Sequence, residues 1–296
     1  MGEVAISDSK INKKRGPRAI HLTVLPIYLT ALLFVVGPLV YMLALSFMAR
    51  DPSWGVQGAF TLENYTNIFQ PVYLRTFGQS VQLALMSTAL MVLIGYPFGY
   101  FMARLKPNLR RLASFLLIVP LWTSSLMRLY GWIIVFRTNG TLDSMLMGLG
   151  IASGPLRLLY TYPAVVVGMV YVLVPFMIYS VYSSAEKLDM NLVEAARDLG
   201  ASRFQAFWTV SLKLTLPGLL SGVILTFIPS MGLFFIADIL GGNKVVLVGS
   251  VIQEQLLRTR NWPFAAALAV ILMLMTTVFM FLYRKITNVK ELEGLL

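Results

Sequence analysis

Six apolar runs constrain this chain more than any other feature: Leu22–Met48, Val81–Ala103, Leu112–Phe136, Pro163–Tyr182, Leu214–Ile239 and Phe264–Tyr283. A helix rises about 1.5 Å per residue, so about 20 apolar residues cross a hydrocarbon core about 30 Å thick. Inside that core every backbone N–H and C=O has to be satisfied by the protein itself. Runs of this length meet the requirement as helices. The fold class read here is therefore all-α, a polytopic membrane protein with six transmembrane helices. Composition agrees, with 57% of the 296 residues hydrophobic and 12% charged, where a soluble domain averages about 25% charged. The first run exceeds the apolar core of a secretory signal, about 7–15 residues, and reads as a retained anchor. Pro26, Pro38, Pro97, Pro120, Pro175, Pro217 and Pro229 fall inside the runs. Each removes a backbone donor, which membrane helices tolerate when neighbours or water satisfy the freed carbonyls.

Several chemistries are excluded. With no cysteine there is no disulfide, thiol or Cys-ligated metal. The lone histidine, His21, cannot form a metal cluster and reads as an interfacial residue. No metal site and no cofactor are expected. No G-x-x-x-x-G-K-[ST] loop is present, so the chain does not bind ATP in the P-loop manner. No His cluster, catalytic dyad or intramembrane carboxylate pair supports an intramembrane enzyme. The net charge of +11 does not imply nucleic acid, because excess Lys and Arg in a membrane protein set orientation.

Their distribution gives that orientation. Lys10, Lys13, Lys14, Arg15 and Arg18 precede the first run. Arg104, Lys106, Arg110 and Arg111 follow the second, Lys187, Arg197, Arg203 and Lys213 follow the fourth, and Arg284, Lys285 and Lys290 follow the sixth. The opposite loops carry only Arg50, Arg75, Arg137, Arg157, Lys244, Arg258 and Arg260. Both termini are thus expected in the cytoplasm. The outer segment Asp51–Gly78 reads as an irregular loop.

On the cytoplasmic side lies a polar stretch, Glu194–Phe204, between two apolar runs. Asn191 is a fitting N-cap for a helix over Leu192–Leu199. Gly200 fits a left-handed helix stop, and Ser202 a second cap. Ala195 and Ala196 keep one face thin, while Phe204, Phe207 and Trp208 supply large apolar anchors. The residues alone leave two readings open: a surface gripped by another protein, or an amphipathic connector on the headgroups.

The pattern Glu194-Ala195-Ala196, Gly200, Val210, Leu212 resembles the EAA signature of the permease subunits of binding-protein-dependent ABC importers. In that family the segment forms coupling helices that dock on a cytoplasmic ATPase. The resemblance gives Glu194, Ala195, Ala196, Asp198, Gly200, Arg203 and Phe204 that role here. Lys213 stands where the family usually has proline, which leaves the local exit into the fifth run open. Pro120–Gly131, Ser183–Asp189, Met231–Gly242 and Asn261–Phe264 resemble the polyamine branch of the family, and the likeness runs from about Leu25 to Lys285. It implies a type I ABC importer permease fold and no catalysis by this chain. The implied partners are two ATPase subunits that bind ATP and Mg, a second homologous permease, a periplasmic binding protein, membrane lipid and a spermidine or putrescine cargo. It divides the chain into a basic tail (1–20), a first helix with outer loop (21–78), a permease core (79–285, coupling loop 191–213) and a C-terminal tail (286–296).

Two charges lie inside the apolar runs, Arg128 and Asp238. Such charges tend to pair or to line a pathway. They are read either as an Arg128–Asp238 ion pair or as an Asp238 that attracts a cationic substrate. Aromatic faces suit a polyamine through cation–π attraction, which makes Trp122, Tyr130, Tyr171, Phe234 and Phe235 candidates. Glu254, in an outer loop, reads as a solvated residue before a substrate contact.

Overall fold

The computed structural model describes residues 25–51, 55–151, 154–242 and 244–287. The basic N-terminal tail, His21 and Lys290 lie outside the described residues. Within them, five helices are long and apolar enough to cross a membrane, or six if one bent pair forms a single span.

Helix α1 (Leu25–Ser46) carries Pro38, which has no N–H to donate. Gly37 bonds back five residues to the Leu32 carbonyl, and Leu32–Val36 becomes a π turn. Its apolar side chains face outward, with Phe34 71% exposed, as a lipid-facing span requires. The outer segment is not irregular as expected. Strands β1 (Met48–Asp51) and β2 (Gly55–Phe60) pair antiparallel, with Arg50 opposite Val56. A short helix α2 (Glu63–Ile68) follows. Asn64 Nδ2 donates to the carbonyls of Ser46 and Met48 at 3.0 and 2.9 Å, and Phe47 stacks on Phe60 at 5.4 Å. The second span, α3 (Pro71–Met102), starts well before Val81, with Gln70 extended and Pro71 in the first turn.

The third apolar run is not one straight helix. Helix α4 (Pro107–Trp122) ends in a 3₁₀ turn at Val119–Trp122, and the axis turns by 96° before the helical stretch that opens at Ser125. Pro120 weakens the ladder, the Thr123 hydroxyl takes the Pro120 carbonyl at 2.8 Å, and Thr123 itself is extended. Helices α5 (Ser125–Phe136) and α6 (Thr141–Gly148) follow. The buried Asp143 lashes the loop after α5, accepting from the N–H groups of Asn139 and Leu156 at 2.9 and 3.1 Å.

Helix α7 (Tyr162–Ala185) is the centre of the bundle. Next come α8 (Met190–Asp198) and α9 (Arg203–Gly232), the latter with a π turn at Phe207–Ser211. The fifth run also breaks, since α9 ends at Gly232, Leu233 adopts φ −76°, ψ 63°, and a separate helix α10 (Phe234–Gly241) begins. Pro229 and Gly232 close together in the last turn favour that stop. Helices α11 (Val248–Leu257) and α12 (Trp262–Thr287) complete the chain.

Two small-x-x-x-small pairs pack on α7, one from α3 and one from α9. Gly95 and Gly99 of α3 meet Met177, Ile178, Val181 and Tyr182, while Gly218 and Gly222 of α9 meet Met177, Ser180 and Ser184. Such glycines let membrane helices approach closely where no hydrophobic effect drives them together. A Cβ at Gly99 would stand 2.7 Å from the Ile178 backbone oxygen, which cannot turn aside. Gly99→Val is therefore expected to lower stability by about 1–3 kcal/mol, the ordinary range of overpacking. Thermal unfolding of the purified transporter checks this, and an unchanged midpoint would contradict it. The buried core of Leu83, Met91, Leu129, Met169, Leu173, Ile236 and Leu240 joins α3, α5, α7 and α10, and α9 packs on both α3 and α7, so α3, α7 and α9 form one packed block next to α8 in the chain.

Candidate coupling hairpin and outer acidic cavity

The hairpin α8–α9 is shaped by local chemistry. Its first cap is Asp189, not Asn191 as expected: the Asp189 carboxylate accepts from the Asn191 N–H at 3.0 Å, and α8 starts at Met190. The Asp side chain wins because it also carries the charge that a helix N-terminus favours. At the other end Gly200 sits at φ 93°. The Gly200 N–H bonds the Arg197 carbonyl at 2.9 Å and the Ala201 N–H the Ala196 carbonyl at 3.1 Å, a Schellman stop. Ser202 then caps α9 in a reciprocal box with Gln205, at 3.2 and 2.9 Å. Lys213, where the sequence departs from the expected proline, continues the helix and stays exposed.

Between α8 and α9 lies a polar cleft of about 440 Å³ lined by Glu194, Arg197, Asp198, Ala201, Ser202 and Arg203. Ala195 is exposed and Ala196 half-buried beside it. The three aromatic anchors divide. Phe207 turns inward against Tyr96 and Tyr100, at 6.0 and 5.5 Å between rings, whereas Phe204 is 72% and Trp208 51% exposed. Leu199, not singled out from sequence, is 90% exposed. A folded, double-capped hairpin thus presents a charged cleft and, outside its lining, the exposed apolar side chains of Leu199, Phe204 and Trp208.

On α10, beyond the end of α9, Asp238 lines a second cavity of about 330 Å³ with Ser250, Gln253, Glu254 and Arg258. The Ser250 hydroxyl donates to Asp238 Oδ1 at 2.9 Å, which orients the carboxylate. Glu254 is exposed, in keeping with the solvated reading, and also lines this cavity.

The expected Arg128–Asp238 ion pair does not form. Leu129, the neighbour of Arg128 on α5, is the residue that faces α10, meeting Ile236 and Leu240 over Gly168. Arg128 instead lies with its Cζ 5.5 Å from the Tyr171 ring centroid, and its Nε is buried without a hydrogen bond. Tyr171 is thereby engaged by the chain's own cation and is also packed edge-on to Trp132 at 5.5 Å. The other aromatic candidates do not gather at Asp238. Trp122 and Tyr130 are 77% and 56% exposed on either side of the 96° bend. Phe235 packs on the main core, and Phe234 lies against Gly249.

The chain is a bundle of long apolar helices that carries a capped polar hairpin, the build of a polytopic membrane protein. The chain belongs to the binding-protein-dependent transport system inner membrane component family, which it matches over residues 95–288. It is 45% identical to the spermidine/putrescine transport system permease protein PotB of Haemophilus influenzae, over 92% of this chain and 96% of that one. Identity to PotB of Escherichia coli K12 is 44%, over 85% of this chain and 91% of that one. The crystal structure of a bacterial alginate ABC transporter in complex with its alginate pentasaccharide-bound periplasmic protein covers 90% of this chain and 94% of its own matching chain, with a TM-score of 0.70 at 15% identity. The shared fold is the all-α type I ABC importer permease fold.

Proposed function

We propose that this chain is a permease subunit of an ATP-driven importer that carries spermidine or putrescine across the inner membrane. Both termini and the α8–α9 hairpin face the cytoplasm in this reading, which the distribution of Lys and Arg supports. The observation that carries it is the hairpin, which has a charged cleft and exposes Leu199, Phe204 and Trp208. Exposed apolar anchors on an ordered polar element mark a protein interface. The partner is one of two ATPase subunits, which bind the ATP and Mg that this chain has no loop to hold. A second permease completes the pathway, and a periplasmic binding protein delivers cargo at the outer face.

The polyamine assignment rests on the relatives named as spermidine/putrescine permeases. The cavity supports that cargo, since Asp238 and Glu254 outnumber the single cation Arg258 and attract an ammonium group, and Gln253 and Ser250 add polar atoms. ATP binding closes the ATPase dimer and moves the hairpin. The α3–α7–α9 block follows because α7 runs directly into the segment and α9 runs directly out of it. Access thereby passes from one side to the other.

Reconstituting the chain with its partner subunits and binding protein in liposomes tests the substrate. Spermidine and putrescine are expected to stimulate ATP hydrolysis and to accumulate inside, and molybdate and neutral sugars are not. Stimulation by an anion or a sugar without stimulation by either amine would overturn the polyamine assignment.

A further inference from the structure

We propose that the end of α3 clamps both ends of the hairpin, with Tyr100 and Arg104 as positioning residues for coupling ATP hydrolysis to transport. This rests on the coupling reading of the hairpin given above.

The clamp has two arms. On the entry side Arg104, just past α3, bonds its own turn through Nη1 to the Tyr100 carbonyl at 2.8 Å and reaches Met190 Sδ, at the first residue of α8, through Nη2 at 3.4 Å. Its guanidinium Cζ lies over the Tyr100 ring, 3.3 Å from the centroid. Burial lowers the Arg104 pKa from its ordinary value, yet arginine starts so high that it keeps its charge. On the exit side Tyr100 donates its hydroxyl to Ser211 Oγ at 2.9 Å. One turn up, Tyr96 bonds Thr215 Oγ1 at 2.8 Å, and that hydroxyl already donates to the Ser211 carbonyl. Tyr100 therefore stands between Arg104, which holds the hairpin's entry, and Ser211, which holds its exit.

The location of the exit arm gives it more than a packing role. Ser211 closes the π turn at Phe207–Ser211. A π turn carries one residue beyond the α-helical register and recurs at functional sites. It is the point where a push on the hairpin either twists α9 locally or moves the whole helix. A hydroxyl bond from α3 across that turn ties it down, so the displacement passes to α3 and α9 together. The glycine contacts that hold α9 on α7, at Gly218 and Gly222, lie two to three turns past Ser211, and Gly99, the neighbour of Tyr100, meets α7 and not α9.

The test is the complete transporter in liposomes with its binding protein, carrying Tyr100→Phe, Ser211→Ala or both, with Glu194→Lys as the control. The expected result is a rise of about fivefold in ATP hydrolysed per substrate imported for each single variant, the low end of ordinary coupling between sites. Basal ATP hydrolysis and the thermal midpoint stay unchanged. The double variant is no worse than the singles, because one bond is removed in each case. If Glu194→Lys uncouples and Tyr100→Phe leaves ATP per substrate unchanged, the clamp is wrong and the coupling reading stands. If Glu194→Lys also leaves it unchanged, the coupling reading falls and takes the clamp with it. A lower midpoint with an unchanged ratio assigns the bond to stability alone and overturns the proposal.

Discussion

Gly200→Val is expected to cut substrate-stimulated ATP hydrolysis and uptake together, by about tenfold or more, in a transporter that still assembles. Gly200 holds φ 93° and closes the stop between α8 and α9. A residue with a Cβ in a left-handed conformation costs about 1–2 kcal/mol, and a β-branched one more, while about 1.4 kcal/mol corresponds to a tenfold change. No atom lies within 4 Å of where that Cβ would stand, so the substitution acts through the angle between the helices and not through a clash. Gly200→Asn tests that mechanism directly. Asparagine tolerates the left-handed region, so it should retain most activity where valine does not. Equal loss in both variants would show that the backbone conformation is not what matters. Assembly is checked by co-purification of the partner subunits, and activity by ATP hydrolysis and uptake in liposomes.

Asp238→Asn is expected to lower uptake of a polyamine by about tenfold with ATPase coupling intact. The amide oxygen can still accept from Ser250, now at 2.9 Å from the carboxylate, so the cavity keeps its shape and loses only charge. A unit charge 4 Å from an ammonium contributes about 1 kcal/mol in water and about 4 kcal/mol near a protein surface. Because Glu254 lines the same cavity, the double change to Asn and Gln should lower uptake further than either alone. The kinetic signature is a change in the dependence of transport on the charge of the cargo. Normal uptake in Asp238→Asn at equal expression would remove this residue from the pathway.

Residue counting located the apolar runs because hydrocarbon thickness sets their length. The hairpin's Gly200 stop and Ser202 cap were legible because each needs a particular residue at one position. Direction was not legible. Hydropathy gives the same signal whether the axis is straight or turns by 96° at Thr123–Ser124, and the same holds at Leu233. Depth in the membrane was also an insufficient guide to pairing. Arg128 and Asp238 both sit far along their runs, yet one position on a helix is about 100° of rotation, and Leu129 faces α10 where Arg128 does not. The Tyr96–Thr215 and Tyr100–Ser211 bonds join residues more than a hundred positions apart, and no local pattern announces such contacts. The ordered hairpin β1–β2 escaped notice because its strands are short and its Gly55 and Gly58 resemble loop residues.

The most direct test is uptake of radiolabelled spermidine and putrescine by cells that lack this chain and every redundant polyamine system. The same cells then receive either the wild-type chain or Glu194→Lys at matched membrane levels. Restored uptake with the wild type and none with Glu194→Lys is the predicted result, tying the cargo and the ATPase-facing hairpin to one protein. Uptake that the wild-type chain fails to restore would contradict the polyamine account, and full restoration by Glu194→Lys would contradict the role given to the hairpin.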